Sequence, residues 1–237
     1  LQARVRPVTG LTSMRRSLAA VPAVLVLAVL AVAVLAVAGR GHQAAAAHGP
    51  EASRPAAGGR LQLVTGSRLV NGIYTDYPHS PAGAVSAAVE FITELDSTLQ
   101  PDRAATVARL AADPSYPAAP QDAAAGAVAT RRALGLRASG PVPPGTAVFL
   151  VPVMYQLRGV SADRLTVLLL FDYTQTALSG IKQHFGVVSV LVAWTPASWR
   201  LLRPAGQDLA GLLATPGTAG ATAKGWEAMT DVMQSDL

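Results

Sequence analysis

Residues Leu18 to Ala38, LAAVPAVLVLAVLAVAVLAVA, form an apolar run with no charged or hydrogen-bonding side chain. As an α-helix rising 1.5 Å per residue, the run reaches about 31 Å, the thickness of a bilayer's hydrocarbon core. A helix is the one single segment that satisfies its own backbone in lipid, so the run predicts a membrane span. Arg4, Arg6, Arg15 and Arg16 precede it without an acidic residue, whereas Arg40 and Arg54 follow with Glu51 between them. That bias predicts a cytoplasmic N-terminus and an extracytoplasmic C-terminal part. The run ends in Ala36-Val37-Ala38, an A-x-A cleavage pattern. It is longer than the usual apolar core of a signal peptide, about 7–15 residues, which favours a retained signal-anchor.

The organisation that follows is a basic cytoplasmic tail at 1–17, a transmembrane helix at 18–38, a linker at 39–60 and a folded domain at 61–237. The linker, GRGHQAAAAHGPEASRPAAGGR, lacks large apolar residues and cannot offset its ordering entropy, so it reads as a flexible tether. His42 and His48 within it read as incidental rather than as metal ligands. The chain has no cysteine, which excludes disulfides and thiolate metal sites. Its net charge is +5, but residues from Leu61 onward carry 12 basic and 13 acidic side chains. The basicity therefore belongs to the tail and linker, and the domain is not read as contacting nucleic acid. Arg131, Arg132 and Arg137 cluster in one predicted helix and read as a solvated face.

Within the domain, LQLV and RLVNGIY suggest a short β-like arm. Ser80-Pro81 supplies an N-cap and a proline at the first helical position, predicting a helix to about Leu99. Its stripe is Val85, Ala88, Val89, Ile92, Leu95 and Leu99, and Asp96 falls within that stripe. Further helices are predicted at Pro101–Ala112 and about Gln121–Leu136, before the break GPVPPG at 140–145. The period then changes to that of strands at Ala147–Leu157, Arg164–Thr174 and Val187–Trp194, with a short return at Trp199–Leu202. The run Arg164–Thr174 is apolar on both faces in its middle and is expected at the sheet's centre. Pro152 cannot donate to a ladder, so the first run is expected at an edge or bulged there. Gln175–Gly186 reads as a long loop in which Ile181 and Phe185 are candidate contact residues. A short helix is expected at Asp208–Ala214. Trp226, Met229 and Met233 lie at helical spacing and predict a C-terminal amphipathic helix, with a contact role as the alternative.

Helices followed by a curved antiparallel sheet of about four strands, closed by Trp194 and Trp199 in a hairpin, resemble the NTF2-like (cystatin-related) α+β cone fold. A transmembrane helix, a tether and such a domain resemble the bitopic scaffold proteins of type IV secretion and conjugation machines. Mycobacterial-type Mce-associated membrane proteins have a similar layout. The stretch Asp76-Tyr77-Pro78-His79-Ser80-Pro81-Ala82-Gly83-Ala84-Val85 resembles a G-Y/F-P-H-S/T-x-x-G-A motif. That motif occurs in actinobacterial membrane proteins associated with integrative conjugative elements. Asp76 stands where glycine is common. The motif also has a plain physical reading: Pro78 keeps Tyr77 extended, Ser80 caps the helix, and Gly83 permits close backbone approach.

These features support three functional classes. The first is a non-enzymatic, membrane-anchored scaffold of an envelope-spanning assembly for conjugative DNA transfer, with other membrane subunits or further copies of itself as partners. The second is a module binding a small apolar ligand in the cone. The third is a cone-pocket enzyme, which would need a buried carboxylate with His or Tyr beside it. The candidates for such a pocket are Asp96, Tyr155, Asp172 and His184, with Tyr173. Asp172 and Tyr173 point to opposite faces of one strand. No cofactor is expected, and the absence of a nucleotide-binding glycine loop places any energy source for such a machine in another subunit.

Overall fold

The structure, a computed structural model, describes residues 60–230. The tail, the expected transmembrane run 18–38, nearly all of the linker and Met233 lie outside the described residues. Among the described residues no helix is long and apolar enough to cross a membrane.

In chain order the elements are β1 (Leu61–Gln62), β2 (Arg68–Val70), β3 (Ile73–Thr75), α1 (Pro81–Asp96), α2 (Pro101–Ala111) and α3 (Ala119–Ala133). There follow β4 (Ala147–Arg158), β5 (Arg164–Ala177), β6 (Gly180–Trp194), β7 (Trp199–Leu201), α4 (Ala219–Ala223) and β8 (Glu227–Thr230). The hairpin β2–β3 turns through Asn71 and Gly72 at φ 53° and 75°, the pair of left-handed residues that a tight hairpin demands. The Ser80 side chain accepts from the Gly83 N–H at 3.0 Å and Pro81 opens α1. A Cβ on Gly83 would lie 2.0 Å from the Pro78 carbonyl oxygen, so the motif glycine is a close-approach site. α1 ends at Asp96, earlier than the expected Leu99. Pro101 holds Gln100 in extended backbone, and Ser97 closes the helix against the Thr93 carbonyl.

The expected architecture requires correction. In place of the expected cone of about four antiparallel strands, the described residues form an α+β fold with a six-stranded mixed sheet of order β1-β8-β4-β5-β6-β7, and none of their helices is long and apolar enough to cross a membrane. The pair β1–β8 is parallel and the other pairs of this sheet are antiparallel. The expected C-terminal helix is instead β8, which pairs with β4 at Met154 and Tyr155. Main-chain partners on the β4 edge override a spacing that suits either element. The expected loop Gln175–Gly186 is the end of one long hairpin, with Leu178 and Ser179 as its turn and Ala177 paired to Gly180. The expected helix at Asp208–Ala214 is a single 3-10 turn, Ala210–Leu212.

β5 is central, as its two apolar faces require, and the ladder shifts register between Pro152 and Met154. Its inner face, Leu165, Val167, Leu169 and Phe171, packs on Val85, Ala88, Phe91 and Ile92 of α1. On the outer face, Leu168 and Leu170 pack under Ala221, Trp226, Leu209 and Leu212 of the C-terminal segment. Each fully buried Leu or Phe contributes about 1.5–3 kcal/mol, so both covers are firmly held. Arg131 departs from its expected solvated role. It is 1 % exposed and donates to the carbonyls of Leu99, Arg137 and Gly140 at 2.9, 2.6 and 3.0 Å.

Candidate functional site

The motif residues form a structural junction. Asp76 has φ 58°, the left-handed region in which glycine costs least. Its N–H donates to Ser198 Oγ at 3.2 Å. The Trp199 indole N–H donates to the Pro78 carbonyl at 2.9 Å. His79 stacks on Trp194, and its Nε2 lies 2.9 Å from both the Ala162 carbonyl and Asp163 Oδ1. Tyr77 is buried edge-on against Phe91. Burial, with Glu90 nearby, pushes its phenol pKa far up. Ser80, Pro81 and Gly83 start α1 as described above. Each motif side chain is thus committed to joining α1 to the β6–β7 turn.

The sequence-predicted pocket residues fall in three places. Tyr155 is buried, and its hydroxyl donates to Glu227 Oε2 at 2.7 Å, tying β4 to β8. Burial and that carboxylate raise its pKa. Asp172 lies on the outer face, accepting from Gln183 Nε2 at 2.6 Å. Asp96, Tyr173 and His184 lie on the helix side. Tyr173 and His184 are a cross-strand pair with ring centroids 5.2 Å apart. The Tyr173 pKa is raised by burial, with the nearby Asp96 charge adding to it. His184 Nε2 is buried without a hydrogen-bond partner among the described residues.

Asp96 opens into a cavity of about 90 Å³ bounded by the end of α1, by α2 and α3, and by the β6 edge. It is half-buried, and its surroundings are apolar enough that burial alone pushes its pKa up to about 7. Tyr116 and Asp122 also line this cavity, and the Tyr116 hydroxyl donates to Asp122 Oδ2 at 2.7 Å. The sequence reading missed these two residues. They reach Asp96 only through the packing of α3, and no local spacing connects them.

On the opposite side of the sheet, the C-terminal cover stops short of the distal ends of β4, β5 and β6. The ladder aligns Val151, Asp172 and Phe185 in one row, and Phe149, Thr174 and Gln183 in the next. Phe149, Val151 and Ile181 are 53 %, 54 % and 73 % exposed, and Phe185 and Leu178 add to the same end. Ile181 and Phe185 were singled out from the sequence, whereas Phe149 and Val151 were not. The alternation of Phe149 and Val151 around buried Leu150 was the available signal. Trp226, the other expected contact residue, is 2 % exposed and donates through its indole N–H to the Leu212 carbonyl. Met229 packs against the inner core. Both belong to the domain's own packing.

Comparison of the chain with protein-family models, with curated proteins and with solved structures returned no match.

Proposed function

We propose that this chain is a membrane-anchored interaction module, a scaffold component of an envelope-spanning assembly of the conjugative-transfer kind. In this reading the domain stands outside the cytoplasmic membrane and holds other membrane subunits rather than converting a substrate. The observation that carries it is the uncovered outer sheet face of Phe149, Val151, Ile181 and Phe185. The same face of the same strands is covered farther along by Trp226, Leu209 and Leu212. Apolar side chains grouped on a rigid sheet and left in water favour a docked partner. The apolar run 18–38 and the preceding arginines support membrane attachment, and the Tyr77-Pro78-His79-Ser80-Pro81 resemblance supports the class of assembly. The near-balanced charge of the domain supports protein rather than nucleic-acid contacts.

Crosslinking of the tagged full-length chain in intact cells tests this. Recovery of other membrane subunits, lost in the Phe149→Asp/Ile181→Asp variant at unchanged protein level, is the expected result. Recovery of the chain alone at monomer size would overturn it.

A further inference from the structure

The cavity beside Asp96 is built by a size mismatch. α3 turns Ala123, Gly126 and Ala127 toward α1 and β6, and these side chains are too small to fill the space. At about 90 Å³ it exceeds several-fold the roughly 10–15 Å³ that one water needs. Its walls include Ile92 and Leu95 of α1 and Val188 and Val190 of β6.

The polar groups that line it include the carboxylates of Asp96 and Asp122 and the hydroxyls of Thr98, Tyr116 and Thr130. The Asp96 carboxylate has no hydrogen-bond or ion-pair partner among the described residues. Asp122 engages Tyr116 through one oxygen, which leaves the other. The Leu202 N–H donates to the Leu191 carbonyl, so the main-chain groups of Leu191 point away from β5. By the alternation of an antiparallel ladder those of Ser189 do too, toward the cavity it lines. No Lys, Arg or His lines the space.

We propose that this cavity is a binding site for a small organic ammonium ion, an amine on an apolar body of about three or four carbons. An ammonium group brings the positive charge that no side chain of this wall supplies, and a short apolar body occupies the apolar volume. A half-buried carboxylate in apolar surroundings carries a desolvation cost that an incoming cation offsets. The other titratable groups around Asp96 do not supply that cation. Asp122 on α3 and Tyr116 before it are paired to each other, Tyr173 on β5 is a phenol, and His184 on β6 packs on the Tyr173 ring outside the cavity lining. Arg203 sits over the Tyr116 ring, 5.4 Å from its centroid.

The test is calorimetric titration of the full chain in lipid nanodiscs with isobutylamine and with its neutral analogue isobutanol. Isobutylamine is expected to bind about tenfold tighter or better at pH 8, the range of a charge-assisted contact. That preference is expected to shrink toward pH 6, as protons compete for Asp96, and to vanish in Asp96→Asn. Ala127→Leu keeps the carboxylate but fills the cavity, and is expected to abolish binding of both probes. Equal affinity for the two probes, an amine preference surviving Asp96→Asn, or no binding of either at millimolar concentration would overturn the proposal.

Discussion

His79 stacks on Trp194 with ring centroids 4.3 Å apart and planes 10° from parallel. The contact joins the residue before the α1 N-cap to the last residue of β6, 115 positions later in the chain, and the adjacent Asp163 and Ala162 bind the ring nitrogen. Stacking and one hydrogen bond of this kind contribute about 1–2 kcal/mol together. His79→Ala is expected to lower the urea midpoint accordingly, and His79→Phe to restore the stacking share. An unchanged midpoint in His79→Ala would remove the junction role.

Arg131 reaches three carbonyls from a site 1 % exposed to solvent. Only a planar, forked donor set meets Leu99, Arg137 and Gly140 at once. Arg131→Met leaves those carbonyls short of donors and is expected to cost about 3 kcal/mol or more. Arg131→Lys recovers a minor part. Amide exchange over residues 97–101 and 134–141 should accelerate in both variants, and protection equal to the parent would contradict this account.

Gly186 lies under the Phe171 ring, where an added Cβ would stand 2.3 Å from Cζ. Gly186→Ala is expected to destabilise by about 1–3 kcal/mol through overpacking. Because the clash is with one ring, Phe171→Leu in the same chain should recover part of the loss. A double-mutant cycle reads this directly, and strict additivity would show that the ring is not the obstacle.

Burial pushes the pKa of the Asp96 carboxyl up to about 7 in the folded chain, against about 4 in an unfolded one. Below pH 4 it is neutral in both states and has no effect. Between 4 and 7 the unfolded chain releases the proton while the folded chain retains it, so stability falls as pH rises. Above 7 the whole penalty is present, of the order of 2–4 kcal/mol. Asp96→Asn is therefore expected to be more stable than the parent at pH 8 and nearly equal at pH 4. Parallel pH profiles for the two chains would refute the burial.

What the sequence disclosed follows from how local each cause is. Ser80 and Pro81 start a helix by contacts within one turn, and the α1 start was legible for that reason. The doubly apolar run of β5 announces a central strand by composition alone. β8 was read as a helix because Trp226 and Met229 suit helical spacing, while the partners that decide otherwise, Met154 and Tyr155, lie more than 70 residues away. The β5–β6 turn at Leu178-Ser179 carries no proline, and the glycine that permits it, Gly180 at φ 119°, follows rather than fills the turn. Asp96 stood out as an acid within an apolar stripe. Its neighbours in the cavity could not, since α3 brings them there by tertiary packing. Arg131 looked like surface charge because the carbonyls that bury it come from the loop just after α3, at Arg137 and Gly140, and from Leu99, 32 positions earlier.

The pairing of β1 with β8 also orders events in time. Leu61 lies beside Met229, and the Thr230 hydroxyl bonds the Leu61 carbonyl across 169 positions. At about 5–20 residues per second, ribosomal synthesis leaves β1 waiting roughly 10–30 s for its neighbour. The helices and the β4–β5–β6 meander, whose contacts are nearer in sequence, can assemble during that interval. The first strand of the described residues is thus the last to lock, and the sheet closes at β1 only once β8 has emerged.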